Sequence, residues 1–289
     1  MAVKFFGQFL VGQGVVTSEA LLHAIELQER TNLKVGEMAL AMGYLTADDI
    51  ERAHTAQQTK DLNFGDMLVE LGILSTTQLQ EVIARQKATH LYIGEALVKV
   101  GALTPAKLDA CLADFKADQA PYVADRIELP AGLPNQALWE TTVDMTYKMI
   151  TRVLGIQFRP GKCQEVSQLG PHEMIAGMDF SGDANARYLL SVSGRLQRTI
   201  AKAVLKEDCV DHEPQEILED AVMEFVNIVC GNVVAKASQS GTALEITPPM
   251  TIHPPENGLP VPDGYCALLF PIHVSEDDCM ELGLFIKKP

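Results

Sequence analysis

The chain has 289 residues, 47% hydrophobic and 21% charged, the balance of a soluble globular protein with room for two ordinary domains. No apolar run approaches the roughly 20 residues of a membrane-spanning helix, and the start, "MAVKFFGQFLVGQGVV", lacks the small-residue site that closes a secretory leader. A formal net charge of −15, negative in both halves, gives no basic footprint for nucleic acid and leaves a cytoplasmic protein as the expectation.

The first elements repeat. The segments "FGQFLVGQGVVT", "VGEMALAMGYLT", "FGDMLVELGILS" and "IGEALVKVGALT" begin on Gly7, Gly36, Gly65 and Gly94 and turn on Gly14, Gly43, Gly72 and Gly101, a step of 29 throughout. Leu21, Ile50, Leu79 and Leu108 keep the same register, as do Gln28, Gln57 and Gln86. A fixed period over four units reads as one supersecondary unit used repeatedly. In each, a short helix ends at a glycine suited to the left-handed C-cap, an apolar pair follows, and Thr or Ser caps a longer amphipathic helix. Residues 1–118 are therefore expected to be an all-α domain of small paired helices.

Over about residues 5–116 this pattern resembles the N-terminal, MshEN-like domain of type II secretion and type IV pilus ATPases. Members that bind cyclic di-GMP place an arginine just before the Leu-Gly pair. Here Phe5, Lys34, Asn63 and Tyr92 stand at that place. The resemblance therefore implies a helical docking module for a secretion or pilus component, with cyclic di-GMP sensing, carried by Lys34 and the repeat glycines, as the alternative. An ATPase half is not expected: "GIQFRPGKC" has the wrong spacing for a phosphate loop and a cysteine where Mg²⁺ would want a hydroxyl.

Residues 119–134, "QAPYVADRIELPAGLP", read as a linker. After it the texture changes. Residues 134–155 form a long amphipathic helix, with Asn135 as N-cap and Gly155 as stop. Strand-like runs "CQEVSQLG", "MIAGMDFSG" and "ARYLLSVSG" follow, the last two joined by the turn "SGDANA". Helices at about 195–206 and 213–238 come next, then strands in "TALEITPP", "GYCALLFPIHV" and "CMELGLFIKK". The stretch "PPMTIHPPENGLPVP" (248–262) reads as a long loop. The fold class expected for residues 135–289 is α+β, an antiparallel sheet with long helices on one face. The six cysteines show no metal-ligand or disulfide spacing and read as buried reduced thiols. His172, His212, His253 and His273 have no Ser or Cys companion at a recognisable elbow, so a catalytic triad is not expected.

Within the second long helix, "DAVMEFVNIVCGN" (220–232) keeps one thin polar stripe. At 100° per residue, Asp220, Glu224, Asn227 and Gly231 fall within about 60° of one another. Leu218, Ala221, Val222, Phe225, Ile228 and Val229 fill the opposite side, and Met223, Val226 and Cys230 lie on the flank. A solvated face would carry acids too. It would prefer Lys, Glu or Ala to asparagine, would not bank the acids with Met and Val, and would not hold a glycine that costs up to about 1 kcal/mol in a helix. The alternative is a surface that inserts into a partner, with Asp220, Met223, Val226 and Gly231 as contacts.

Asp-x-x-x-Glu-x-x-Asn on a helix followed by "GN", together with the order of elements over residues 135–289, is similar to the CheX, CheC and FliY phosphatases. That family dephosphorylates the aspartate of CheY-type response regulators. The resemblance implies that Asn227 orients the attacking water and Glu224 pairs with the regulator's lysine, both catalytic, while Asp220 positions the partner. It implies no cofactor of the chain's own, since Mg²⁺ resides on the regulator, and a homodimer of the CheX kind. Glu140, Asp144 and Tyr147 repeat the spacing on the first helix, with tyrosine where asparagine is required, so a single site is expected. The competing reading is a non-catalytic adaptor that docks a receiver domain without turnover.

Overall fold

A computed structural model describes residues 4–57, 60, 62–120, 126–274 and 278–288. The chain divides into two compact units, residues 1–121 and 122–289, each with cores of its own.

In the first unit the helices keep the period of the sequence. Short helices α1 (Phe6–Gly12), α3 (Val35–Ala41), α5 (Phe64–Glu70) and α7 (Ile93–Lys99) alternate with longer ones, α2 (Ser18–Thr31), α4 (Ala47–Gln57), α6 (Thr76–Thr89) and α8 (Pro105–Gln119). Gly14, Gly43, Gly72 and Gly101 end the short helices at φ 66°, 72°, 68° and 77°, a conformation cheap only for glycine. The other repeat glycine marks a close approach: a Cβ on Gly7 or Gly94 would fall 2.5 Å from Cδ1 of Leu21 or Leu108. Thr17, Thr46, Ser75 and Thr104 each accept a hydrogen bond from the backbone N–H three residues on, capping the longer helices.

The packing of the repeats is nested. Repeat one pairs with repeat four, α2 on α7 and α1 on α8, around Phe9, Leu10, Leu97 and Cys111. Repeat two pairs with repeat three, α3 on α6 and α4 on α5, around Met38, Met67, Leu68 and Val82. The three in-register glutamines tie α2, α4 and α6 each to the lead-in of a short helix. Gln86 Nε2 donates to the Leu33 carbonyl at 2.9 Å, Gln57 Nε2 to that of Leu62 at 2.8 Å, and Gln28 Nε2 to that of Leu91 at 3.0 Å. Asn32 bonds both backbone groups of Leu91, and at the equivalent position Gln119 Oε1 accepts from the backbone N–H of Lys4 at 2.8 Å.

Part of the expected linker, residues 121–125, lies outside the described residues. The remainder is not a bare tether. Gln119 belongs to α8, and Ile127, Leu129 and Leu133 pack against the core of the second unit.

The second unit runs α9 (Gln136–Arg152), β1 (Arg159–Pro160), β2 (Gln164–Val166), β3 (Gln168–Leu169), β4 (Met174–Gly182) and β5 (Ala186–Val192). It continues with α10 (Gly194–Leu205), α11 (Gln215–Gln239), β6 (Leu244–Ile246), β7 (Met250–Ile252), β8 (Leu259–Pro260), β9 (Tyr265–His273) and β10 (Cys279–Lys287). The sheet order is β1-β9-β10-β5-β4-β6, with β2 added to β9 and β7 to β4, every pair antiparallel. Side chains alternate between faces: Tyr188, Leu190 and Val192 of β5 join the helices' core, whereas Leu189 turns to the other face with Ile175 and Phe285. There β3 and β8 pair as a two-stranded cover through Leu169 and Leu259. The fold is the α+β class, with α9, α10 and α11 sharing one face of an antiparallel sheet.

Two local expectations need correction. Residues 248–262 are not simply a loop but carry β7 and β8, strands of two or three residues hemmed by prolines, too short to show alternation. Asn135 does stand at the N-cap of α9, but in the left-handed conformation (φ 55°), without a side-chain bond to the helix; its Nδ2 donates to the Asp183 carbonyl at 3.3 Å.

Candidate functional site

Helix α11 holds the polar stripe, and its sequence explains its 25-residue length. Pro214, with no N–H to lose, stands at the N-cap; Glu216 is in the first turn and Lys236 in the last, each favourable to the helix dipole. Gly241, at φ 83°, follows its end. Leu218, Val222, Phe225, Val229 and Val233 are almost wholly buried, and each such side chain stabilises the fold by about 2 kcal/mol. That burial fixes the rotation of the rod and so decides what faces out.

Asp220, Glu224 and Asn227 are exposed along the opposite side. Asn227 Nδ2 lies 3.4 Å from Glu224 Oε2, a long hydrogen bond between residues one turn apart. It uses one of the amide's two N–H donors, so a second donor and the acceptor oxygen remain for a bound water or a partner. Gly231 continues the stripe half-buried, and a Cβ added there would meet nothing within 4 Å. The glycine thus leaves open space rather than relieving a contact inside the chain.

The apolar bank is narrower than the sequence suggests. Val226, expected as a partner contact, is fully buried, as is its flank neighbour Cys230, and both belong to the core. The reason is that α11 is embraced on more than its sheet side: α9, α10, β4, β6 and β7 all pack on it, so the buried arc exceeds the half-turn a surface helix normally hides. Met223 alone of that flank stays half-buried, with Thr251 Oγ1 of β7 3.2 Å from its sulfur. One helical turn earlier, Glu219 Oε2 lies 3.7 Å from Nε2 of His253, which directly follows β7. This neighbour was invisible in the sequence, since residues 248–262 carry no period.

Helix α9 shows what becomes of the same spacing without asparagine. Glu140 Oε1 accepts from Gln136 Nε2 at 2.9 Å, and Asp144 pairs with Lys148 Nζ at 2.8 Å. The Tyr147 ring stacks against Phe158 with centroids 5.2 Å apart, and burial, with the Cys163 thiol beside it, pushes the phenol far above its ordinary pKa. Half-buried against Phe158, the ring is committed to the chain's own packing, and a phenol lacks the amide's paired donor and acceptor groups.

Among the described residues, no group of three or more His, Cys, Asp or Glu side chains could hold a metal ion, and no helix is long and apolar enough to cross a membrane. The cysteines are free, and not all are buried: Cys111 and Cys230 are, Cys163, Cys266 and Cys279 are half-buried, and Cys209 is exposed in the α10–α11 connection.

Comparison with known proteins bears on the second unit. The family described as chemotaxis phosphatase CheX matches residues 174–273, which include the whole stripe. The CheY-P phosphatase CheX of Thermotoga maritima is 24% identical over 146 residues, covering 50% of this chain and 92% of that protein. Among solved structures, the chemotaxis protein CheX of Desulfovibrio desulfuricans is 18% identical, covers 52% of this chain and 99% of that one, and has a TM-score of 0.45. The CheX–CheY–BeF3–Mg²⁺ complex of Borrelia burgdorferi includes a chain 20% identical, with 52% and 98% coverage and a TM-score of 0.45.

Proposed function

We propose that this chain is a phosphatase that hydrolyses the phosphoaspartate of a CheY-like response regulator, with Glu224 and Asn227 as its catalytic pair. The observation that carries the reading is the exposed carboxylate–amide pair, one turn apart on a rod whose buried side leaves it no freedom to rotate. An acyl phosphate is already reactive, so the catalyst has only to hold water in line and avoid adding charge against the phosphoryl group. A neutral amide does this, since it both donates and accepts. Asn227 orients the water. The water's oxygen forms the new bond to phosphorus, the bond to the aspartyl oxygen breaks with its electron pair left on the carboxylate, and both protons of the water leave with the released phosphate. Glu224 pairs with the regulator's lysine, and Asp220, Met223 and Gly231 meet the surface around the pocket. In this reading Mg²⁺ belongs to the regulator, where it neutralises charge on the transferred group.

The first unit then serves as the targeting or regulatory module. Its exposed Leu22 and Tyr92, 60% and 65% accessible, give a partner something apolar to grip. The deciding experiment is a time course of phosphate loss from phosphorylated receiver proteins with and without the chain. Acceleration that disappears in Asn227→Ala, while the melting curve stays in place, is expected; acceleration that survives the substitution would remove Asn227 from the mechanism. Calorimetry of cyclic di-GMP against the full chain separates the nucleotide-sensing alternative for the first unit.

A further inference from the structure

The surface beside the stripe is organised by a chain of polar contacts that the catalytic roles above do not use. Gln197 of α10, 1% exposed, accepts a hydrogen bond through its Oε1 from Gln215 Nε2 at 2.6 Å. Gln215 Nε2 also donates to Glu219 Oε1 at 2.9 Å. The other oxygen of Glu219 faces His253 Nε2 at 3.7 Å. The Glu219 side chain is only 16% exposed, the imidazole 63%. A series that starts at a buried amide and ends at a largely solvated ring is a mount: Glu219 is braced from within, and the ring edge away from it, with Nδ1, is left to meet something outside.

Charge indicates what that something is. Residues 215–227 of α11 carry four acids, Glu216, Glu219, Asp220 and Glu224, and no basic side chain. His253 is a nitrogen donor on this acidic border, its Nε2 turned to Glu219 and the rest of the ring to solvent. Distance places it within reach of the same partner. Glu219 and Asn227 are eight residues apart, about 12 Å along the helix, and a stable docked domain buries roughly 800 Å² on each side, a patch about 30 Å across. A patch of that width centred on Asn227 is wide enough to reach Glu219, and with it the ring that faces it.

We infer that His253, held by Glu219, is a specificity-determining contact that binds a carboxylate or carbonyl acceptor on the rim of the regulator's phosphorylation pocket. Thr251, two residues before it on β7, donates through Oγ1 to the Met223 sulfur at 3.2 Å and ties the strand to the flank of the stripe. The inference rests on the phosphatase reading for the identity of the partner, but it concerns recognition and not the hydrolytic step.

The test separates the two. Steady-state dephosphorylation is measured for wild type, His253→Ala, His253→Gln, His253→Asp and Glu219→Gln, with affinity for the beryllofluoride-activated, Mg²⁺-loaded receiver measured by calorimetry. His253→Ala raises KM and Kd about fivefold with kcat within about twofold, and His253→Asp raises them further, as expected for a charge at an interface rim. His253→Gln, which keeps a donor, recovers part of the loss; Glu219→Gln, which unseats the ring, gives a smaller loss; all four melt with wild type. Unchanged KM and Kd in both His253→Ala and His253→Asp would overturn the inference, as would a fall in kcat alone. A wild type that binds the activated receiver without dephosphorylating it ends the phosphatase reading and leaves the Kd series to judge His253. One that neither binds nor dephosphorylates any receiver ends both.

Discussion

Helices α9 and α11 carry acids four residues apart and a third polar residue three further on, and both lie on the same face of the sheet. They differ in that third residue. Asn227 stands out from α11 with its amide within reach of Glu224, whereas Tyr147 folds its ring onto Phe158 and into the protein. The acids diverge as well: Asp144 is engaged by Lys148, and residues 215–227 offer no base to engage Asp220 or Glu224 on their own helix. Matching spacing does not make matching surfaces. What sets α11 apart is a side chain too polar and too short to find cover, beside carboxylates with no basic residue within a turn on their own helix.

That contrast can be broken by making one helix resemble the other. Asn227→Tyr gives α11 the residue that α9 has, and should lower the dephosphorylation rate by about 10²–10³, the usual cost of removing a positioned catalytic amide. Circular dichroism should show the helix intact; a rate near wild type would mean that the amide is not what distinguishes the helices. Tyr147→Ala works from the other side. It should lower stability by about 2 kcal/mol, less than for a fully buried aromatic, and leave the phosphatase rate alone. A parallel loss of rate in folded protein would show that α9 takes part in the chemistry.

Smaller effects sharpen the picture. Glu224→Ala should raise KM for the phosphorylated regulator about tenfold, the loss of one charge-assisted contact across an interface, with thermal stability unchanged. Gly231→Ala should do the reverse of most substitutions: it meets no atom in the chain, so the fold should gain up to about 1 kcal/mol in chemical denaturation. If the space is kept for a partner, the same variant should bind the regulator more weakly. A gain on both counts would say that the glycine is incidental.

The sequence was most legible where a rule of spacing had enough residues to act on. The strand-like run "ARYLLSVSG", set off by turn residues, gave β5, and the twofold glycine ladder gave eight helices whose starts step by 29 from Phe6 and from Ser18. Exposure of Asp220, Glu224 and Asn227 followed from the width of the apolar arc opposite them. It failed for Val226 because helical periodicity tells which residues share a side, not how many neighbours crowd it. Nor could it pair repeat one with repeat four, since every unit carries the same apolar positions and so could accept any other. His253 was missed for a third reason: its partner Glu219 lies 34 positions away across a stretch without pattern.

The bond between the Lys4 amide and Gln119 brings the two ends of the helical array together like a clasp. A segment whose beginning and finish meet can be spliced into a surface loop of an unrelated host, or lifted out and carried elsewhere, without stretching either chain.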